Sequence, residues 1–153
     1  MIISWLTAYQ VRGLYLHQTK EKLLSVARIV DQHTTIGFNK ENLPELDSVC
    51  KNFGERSFSR ITIIGLDGVV LGDTEEGPER MENHGDRPEV IEALAGGVGV
   101  SMRQSPTLKK QMMYLAIPHS PAGTITGVIR ISLPLVELKD QLRPVYTLSL
   151  IHI

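Results

Sequence analysis

The spacing of hydrophobic residues changes near residue 60, from a helical period upstream to strand-like alternation downstream. The segment from Leu14 to His33 contains neither Gly nor Pro. Its apolar residues recur at helical spacing along one stripe, formed by Leu16, Leu23, Ala27 and Val30. This pattern predicts a long amphipathic helix. The start of the helix is open, because a helix that begins nearer Met1 can tolerate Gly13.

A shorter second helix is predicted to follow. Asn42 and Glu45 have the spacing of a capping box, and Pro44 suits a first helical turn. The apolar residues then repeat at i, i+3, i+4 and i+7, as Leu46, Val49, Cys50 and Phe53. Gly54 is the predicted C-terminal end of this helix.

Short runs of β-branched and apolar residues predict strands from residue 60 onward. Arg60 to Asp73 consists of two such runs around Asp67-Gly68, which is the strongest short signal for a β-hairpin. Three more strands are predicted, over Val98 to Arg103, Gln111 to Ile117, and Thr124 to Leu133. Pro134 should end the last one, because proline cannot donate to a sheet ladder.

Two helices complete the predicted order. One is short, with Asp86 as N-cap, Glu89 three residues later, and Gly96-Gly97 at its end. The other is an exit helix from Pro134 to Leu142. Strands so close together, without crossover helices, indicate an antiparallel sheet of about five strands. The fold class is therefore α+β, with one domain over residues 1–138 (long helix 14–33, sheet and flap 60–133). The exit helix and a tail occupy residues 139–153.

Composition excludes several functions. A formal net charge of −1 argues against a nucleic-acid partner, which requires a basic surface. The single cysteine, Cys50, excludes an internal disulfide and lies on an apolar helix face. The sequence contains no nucleophile elbow, zinc-protease motif or phosphate-binding loop, so we expect neither catalysis nor a cofactor. Both ends are apolar but too short to cross a membrane. They fit either a domain cut from between two membrane helices or a soluble chain with frayed or foreign ends.

Alternation along the strands places Arg103, Tyr114 and Arg130 on one face of the sheet. Two guanidinium groups and a phenol could converge there on a small anion or carboxylate. The alternative is a structural cluster, in which Asp73 or Asp86 supplies the partner, or a face that is partly solvated. The acidic stretch from residue 73 to 92 is interpreted as a solvated loop, and His84 within it as a hydrogen-bonded residue rather than a metal ligand.

A set of short pieces also occurs in a characteristic order: Arg60 to Ile64, Asp67 to Asp73, Glu82 to His84, Arg87 to Glu89, Glu92 to Gly97, Arg103 to Thr107, Met113 to Pro118, and Gly127 to Leu135. In this order they resemble the extracytoplasmic sensor domain of PhoR-type (phosphate-regulon-like) sensor histidine kinases, a PAS-like single Cache module. The resemblance covers about half of the chain directly. It accounts for both apolar ends.

The resemblance implies a signal-sensing domain between two membrane helices, facing the periplasm or cell exterior, in a two-component receptor whose kinase core lies elsewhere. It implies a ligand pocket between the sheet and its flap, at Asp73, Thr74, His84, Arg87, Arg103, Ser105, Thr107, Tyr114 and Arg130. We further expect a homodimer through the stripe of the first helix. An alternative is that the same fold is a dimerisation or interaction module with no small ligand.

Overall fold

The computed structural model describes residues 2–106 and 108–136. Its helices are α1 (Ile2–His33), α2 (Leu43–Ser57) and α3 (Pro88–Leu94), with single 3₁₀ turns at Lys40–Asn42 and Pro78–Arg80. Its strands are β1 (Arg60–Gly65), β2 (Val70–Asp73), β3 (Gly99–Gln104), β4 (Gln111–His119) and β5 (Gly127–Pro134). The predicted order of elements up to the last strand is confirmed.

The five strands form one antiparallel sheet in the order β2-β1-β5-β4-β3. The Asp67-Gly68 hairpin is confirmed, and Gly68 adopts the left-handed φ of 80° that such a turn demands. Helices α1 and α2 pack on one sheet face, where Ile63 and Ile129 belong to the larger core cluster. Helix α3 covers the other face, where Ile64 and Val128 pack with Val90. Successive side chains of β1 and β5 point to opposite faces of the sheet, so each strand contributes to both hydrophobic clusters.

Helix α1 is longer than its apolar stripe predicts and begins at Ile2, so Gly13 lies within it. Leu23, Ala27 and Val30 are fully buried, and they belong to the core cluster that α1 shares with the sheet. The prediction that this stripe is a dimer face is therefore wrong, because the stripe is covered by the domain's own strands. At the far end of β4, His119 Nδ1 lies 2.6 Å from Asp31 Oδ1 and ties the helix to the sheet.

Two predictions about the ends of helix α2 are wrong. The Asn42 side chain makes no capping hydrogen bond; instead the side chain of Asn39 accepts from the amides of Glu41 and Asn42. Gly54 does not end the helix, which continues to Ser57. A Cβ atom at Gly54 would collide with the Thr74 side chain. Glycine is needed here for close packing against the sheet rather than for a C-cap.

Helix α3 begins one residue later than the capping pattern predicts. Arg87 occupies the N-cap position, no side chain caps the helix, and Pro88 is its first residue. The prediction that Asp86 is the cap is wrong. Glu89 does not serve a capping box either, because it is buried together with Val90 and Ala93 on the face that α3 turns to the sheet.

Strand β5 continues through Pro134, which pairs with Met112 at the end of the ladder. The amide of Leu135 then donates to the Gln111 carbonyl at 2.8 Å. The exit helix therefore does not begin at Pro134, and the remainder of that prediction lies outside the described residues. In the part of the chain that the structure describes, no helix has the length and apolarity required to cross a membrane.

Candidate functional site

Arg103, Tyr114 and Arg130 do share one face of the sheet, the face covered by α3. The Cζ atom of Arg103 lies 3.8 Å from the centroid of the Tyr114 ring, and that of Arg130 lies 5.2 Å from it. These are cation–π distances. The three residues come from neighbouring strands β3, β4 and β5, so the register alone brings them together. The alternation prediction for this face is confirmed.

A carboxylate that the sequence reading did not assign to this cluster, Glu89, joins both arginines. Its two oxygens accept from Arg103 Nη1 and Nη2 at 2.8 and 2.9 Å, a bidentate pair. One of these oxygens also lies 3.5 Å from Arg130 Nη1. Burial acts to raise the pKa of Glu89, but the hydrogen bonds from Arg103, a backbone hydrogen bond and the charges of Arg103 and Arg130 together lower it. Arg103 thus has a protein partner for its terminal nitrogens, and its predicted role as a ligand-binding group is corrected to a structural one.

Arg130 is held more loosely than Arg103. Its Nη2 donates to Thr62 Oγ1 at 3.3 Å, and its Nη1 contact with Glu89 is at the limit of a hydrogen bond. Its Nε has no hydrogen-bond partner among the described residues, although the side chain is only 5% exposed. Burial lowers the pKa of Arg130 to about 10, against the attraction of Glu89. A buried guanidinium with an unused donor is energetically costly, so this residue is the strongest candidate for contact with a ligand.

A cavity of about 950 Å³ opens in front of Arg130. Its volume is within the range of small-molecule sites. Most of the predicted pocket residues line it: Thr74, His84, Arg87, Arg103, Ser105, Tyr114 and Arg130. Thr107 lies outside the described residues. The loop after β3 contributes Pro106 and Leu108 to the lining.

Asp73 is not a pocket residue, contrary to prediction. Its side chain is fully buried and accepts from Arg60 Nε at 3.1 Å, from Thr62 Oγ1 at 2.7 Å, and from the amides of Glu75 and Glu76. Burial would raise the pKa of Asp73, but the Arg60 guanidinium and the hydrogen bonds from the Glu75 amide and Thr62 together lower it. Every acceptor direction is used by the protein, so Asp73 locks the end of β2 to β1.

Thr74 lines the cavity but uses its hydroxyl structurally. Its Oγ1 donates to the Cys50 carbonyl at 3.0 Å and accepts from the Ile61 amide at 2.9 Å. This pair of bonds joins α2 to β1. Ser105 is similar, because its Oγ accepts from the Leu108 amide at 3.2 Å and shapes the loop. Neither hydroxyl is a primary ligand candidate.

His84 is buried on the cavity wall, and its Nδ1 donates to the Glu82 carbonyl at 2.8 Å, since a carbonyl can only accept. Burial lowers the pKa of His84, and the charges of Arg130 and Arg87 lower it further. Arg87 pairs with Glu82 at 2.5 Å. In the described part of the chain, no three His, Cys, Asp or Glu residues are grouped to hold a metal ion.

The sequence matches no protein-family model, and no curated protein is similar enough to count as a relative. Solved structures do match. The V. cholerae histidine kinase DctB sensor domain has a TM-score of 0.69 and 16% identity over 86% of this chain and 57% of its own. The E. coli DcuS sensor domain has a TM-score of 0.64 and 16% identity over 85% of this chain and 98% of its own.

The ligand-binding domain of the Campylobacter jejuni chemoreceptor Tlp3, in complex with L-valine, has a TM-score of 0.64 and 16% identity, covering 82% of this chain. The chain has a PAS-like Cache sensor fold. It spans 56% of Tlp3 and 57% of DctB, but nearly all of DcuS, which suits a single Cache module. The predicted fold class is confirmed. The matched sensors belong to chemoreceptors as well as to histidine kinases, so the fold is common to both receptor types.

In this Cache fold, Glu89 is the residue that sequence reasoning missed. Its signal was present, since Glu89 and Ala93 are four residues apart and therefore share a helical face with a buried side. The Asp86-to-Glu89 spacing was instead attributed to a capping box. An acidic residue on the apolar face of a helix, opposite two arginines, is a better indicator of a buried ion pair.

Proposed function

We propose that this chain is the extracytoplasmic signal-sensing domain of a membrane-bound sensor histidine kinase of the PhoR type. It binds a small anionic ligand, such as a carboxylate, in the cavity above Arg130 and passes a conformational change to its terminal segments. The observation that carries this proposal is Arg130, a buried guanidinium that lines a ligand-sized cavity and whose Nε has no hydrogen-bond partner among the described residues. The Cache sensor fold, which DctB and DcuS share, supplies the biological context.

The cavity is suited to binding rather than to catalysis. Its lining combines guanidiniums, a phenol and hydroxyls with carboxylates, an imidazole, a lysine and an amide, and the hydroxyls of Thr74 and Ser105 already bond to backbone groups. Cys50 is fully buried in the core cluster, and burial raises the pKa of its thiol. A nucleophilic thiol requires the opposite shift. Positioned donors without an activated nucleophile are what a receptor needs.

The signal has a short physical route out of the cavity. Arg130 is a residue of β5, and the chain leaves this strand through Leu135 and Val136. The amide of Val136 donates to the Tyr15 hydroxyl at 3.0 Å, so the outgoing segment touches α1 directly. A ligand that pulls on Arg130 would shift β5 and this contact together. Inserting flexible glycines after Leu135 in the intact receptor should abolish the response, whereas normal signalling would exclude this route.

A second candidate function is a dimerisation module without a small ligand, and the first part of α1 favours it. This part exposes apolar side chains, namely Ile2, Trp5, Leu6, Tyr9, Val11 and Leu14. Residues 2–14 extend for roughly 20 Å at the rise of an α-helix. In our proposal a second copy of the chain packs along this segment, in a membrane-anchored homodimer. The dimer face is thus moved from the buried stripe to the exposed end of the same helix.

A ligand screen separates the two functions. Thermal unfolding of the chain should be followed with small carboxylates, inorganic anions and divalent cations, because a ligand that binds only the folded state raises its stability. At a concentration of 100 times Kd, the gain is about 2.7 kcal/mol. Arg130→Gln should remove the shift, and Arg56→Gln, an exposed arginine on α2, is the matched control. A midpoint that no anion raises would leave the interaction module as the function.

A further inference from the structure

The floor of the cavity carries one net positive charge. We define the floor as Arg103, Arg130, Glu89, Tyr114 and His84. Two guanidiniums and one carboxylate leave a single positive charge when His84 is neutral and Tyr114 keeps its proton. Because Arg103 binds Glu89 bidentately, this surplus resides on Arg130, whose Nε has no partner within the described residues.

The charges at the rim are largely balanced by their own neighbours. Arg60 pairs with Asp73 at 3.0 Å and with Glu75 at 3.1 Å. Arg87 pairs with Glu82, and Lys51 with Asp47. Arg80, the remaining cation of the lining, lies 3.7 Å from Glu79, and both side chains are exposed. The rim therefore adds no buried cation that could compensate a second negative charge on a ligand. A doubly charged anion at the floor would keep one charge uncompensated in a partly desolvated site.

His84 is the group that can change this balance. It is buried in the cavity wall, and its Nδ1–H is directed to the Glu82 carbonyl, which leaves Nε2 as the position that takes up a proton. The charged groups that act on it are Arg130 of β5, Arg87 directly before α3, and Glu82 in the loop between β2 and α3. Two of these three are cations, so His84 remains neutral until an anion offsets them or the pH falls.

We propose that the floor binds a singly charged anion against Arg130 while His84 is neutral, and that protonation of His84 extends the site to doubly charged anions. This inference rests on the proposed sensing function and adds the charge class and the proton dependence of its ligand. Binding of a dianion then takes up one proton. The receptor would respond to monoanions across the neutral range and to dianions only in acid.

Methanesulfonate and sulfate are the appropriate probes, because they present similar sulfonate oxygens and keep charges of one and two across the range used. Their affinities for the 153-residue chain are measured by isothermal titration calorimetry at about pH 7.5 and about pH 5, the lower value being chosen because the pKa of His84 is lowered below that of an ordinary histidine, about 6.5. At the higher pH, methanesulfonate should bind about tenfold or more tightly than sulfate, because the second charge of sulfate is desolvated without gaining a partner. On acidification, sulfate affinity should rise by up to about tenfold per pH unit, with proton uptake visible in different buffers.

Two variants locate the effect. His84→Asn keeps a donor near the position of Nδ1 but cannot take up a proton, so it should remove the pH dependence of sulfate binding. His17→Asn, at an exposed position on α1, should leave both that pH dependence and methanesulfonate binding unchanged. Urea unfolding of each variant confirms that it is folded. Sulfate binding that still strengthens in acid in His84→Asn would overturn the assignment of the proton to His84.

The remaining outcomes are equally decisive. Sulfate binding as tight as methanesulfonate at about pH 7.5 would overturn the charge class, while the sensing function would stand. If neither anion binds at either pH, the inference is also overturned, because Arg130 would then not bind an anion of this kind. The carboxylate screen described above decides independently whether the sensing function fails with it.

Discussion

Replacing Glu89 with Gln tests the central electrostatic argument about the cavity floor. The side chain of Glu89 is fully buried and accepts hydrogen bonds from both terminal nitrogens of Arg103. Glutamine has nearly the same shape, but it removes the negative charge and presents a donor where one acceptor was. Arg103 and Arg130 would then face each other with no carboxylate between them. The domain should fold, but with a much smaller free energy of unfolding.

The size of the loss follows from the burial of the pair. Removing one partner of a buried ion pair costs about 3–5 kcal/mol. A typical domain has a total stability of roughly 5–15 kcal/mol, so this is a large fraction of it. With a urea m-value of about 2 kcal/mol/M, the unfolding midpoint should fall by about 1.5–2.5 M. Arg103 is 29% exposed, which places the expected loss at the lower end of this range.

The dependence on pH has a definite sign. The pKa of Glu89 is lowered in the folded protein, so its contribution is present above the ordinary glutamate pKa of about 4.3 and is lost as the pH falls through the lowered value. Urea denaturation at several pH values, followed by circular dichroism, should therefore show a larger free energy of unfolding for the wild type than for Glu89→Gln at neutral pH. This difference should disappear in acid. Glu92→Gln, exposed on the same helix, is the control and should change little. A loss below about 1 kcal/mol at neutral pH would refute the buried-pair reasoning.

Three further predictions concern the framework around the cavity. Gly54→Ala should lower the free energy of unfolding, measured by urea denaturation, by about 1–3 kcal/mol, because the added Cβ atom collides with the Thr74 side chain. Gly13→Ala is the control: it has open space around it, so its free energy of unfolding should be unchanged or higher. Cys50 should react with a thiol reagent only when urea unfolds the domain, since burial raises its pKa; rapid reaction of the native protein would contradict its place in the core. Cysteine at Trp5 should crosslink two copies in membranes, and cysteine at the buried Ala27 should not; the reverse pattern would restore the original dimer face.

Local patterns predicted the sheet well because strand alternation and turn chemistry are encoded over a few residues. The Asp67-Gly68 turn needs a left-handed residue, and glycine supplies it at the expected position. The common face of Arg103, Tyr114 and Arg130 needed only a period of two and an antiparallel neighbour. These features do not depend on what lies above the sheet, so the sequence was sufficient.

The errors arose where a residue's role depends on a partner distant in the chain. The stripe containing Leu23 and Ala27 was correctly assigned to one helical face, but periodicity cannot say whether that face meets the domain's own sheet or another copy. Asp73 carries the charge of a ligand-binding residue, yet Arg60 on the adjacent strand saturates it. The role of Glu89 was missed because its spacing from Asp86 also matches a capping box, which the structure does not contain. Local sequence shows which side chains share a face, while tertiary packing decides whether a ligand can use them.

The position of β5 also has a consequence for how this domain is made. Among the described strands it is the last to leave the ribosome, yet it lies at the centre of the sheet, where Ile61 pairs with Ile131 and Leu115 with Ile131 from the other side. Until it is synthesised, β1 and β4 each present an unpaired apolar edge, and such edges promote misassembly. Closing a sheet from residues 70 positions apart also requires a large loop, which slows folding. We therefore expect the nascent chain to remain prone to misassembly until β5 emerges, and any truncation before Gly127 should yield insoluble protein rather than a smaller folded domain.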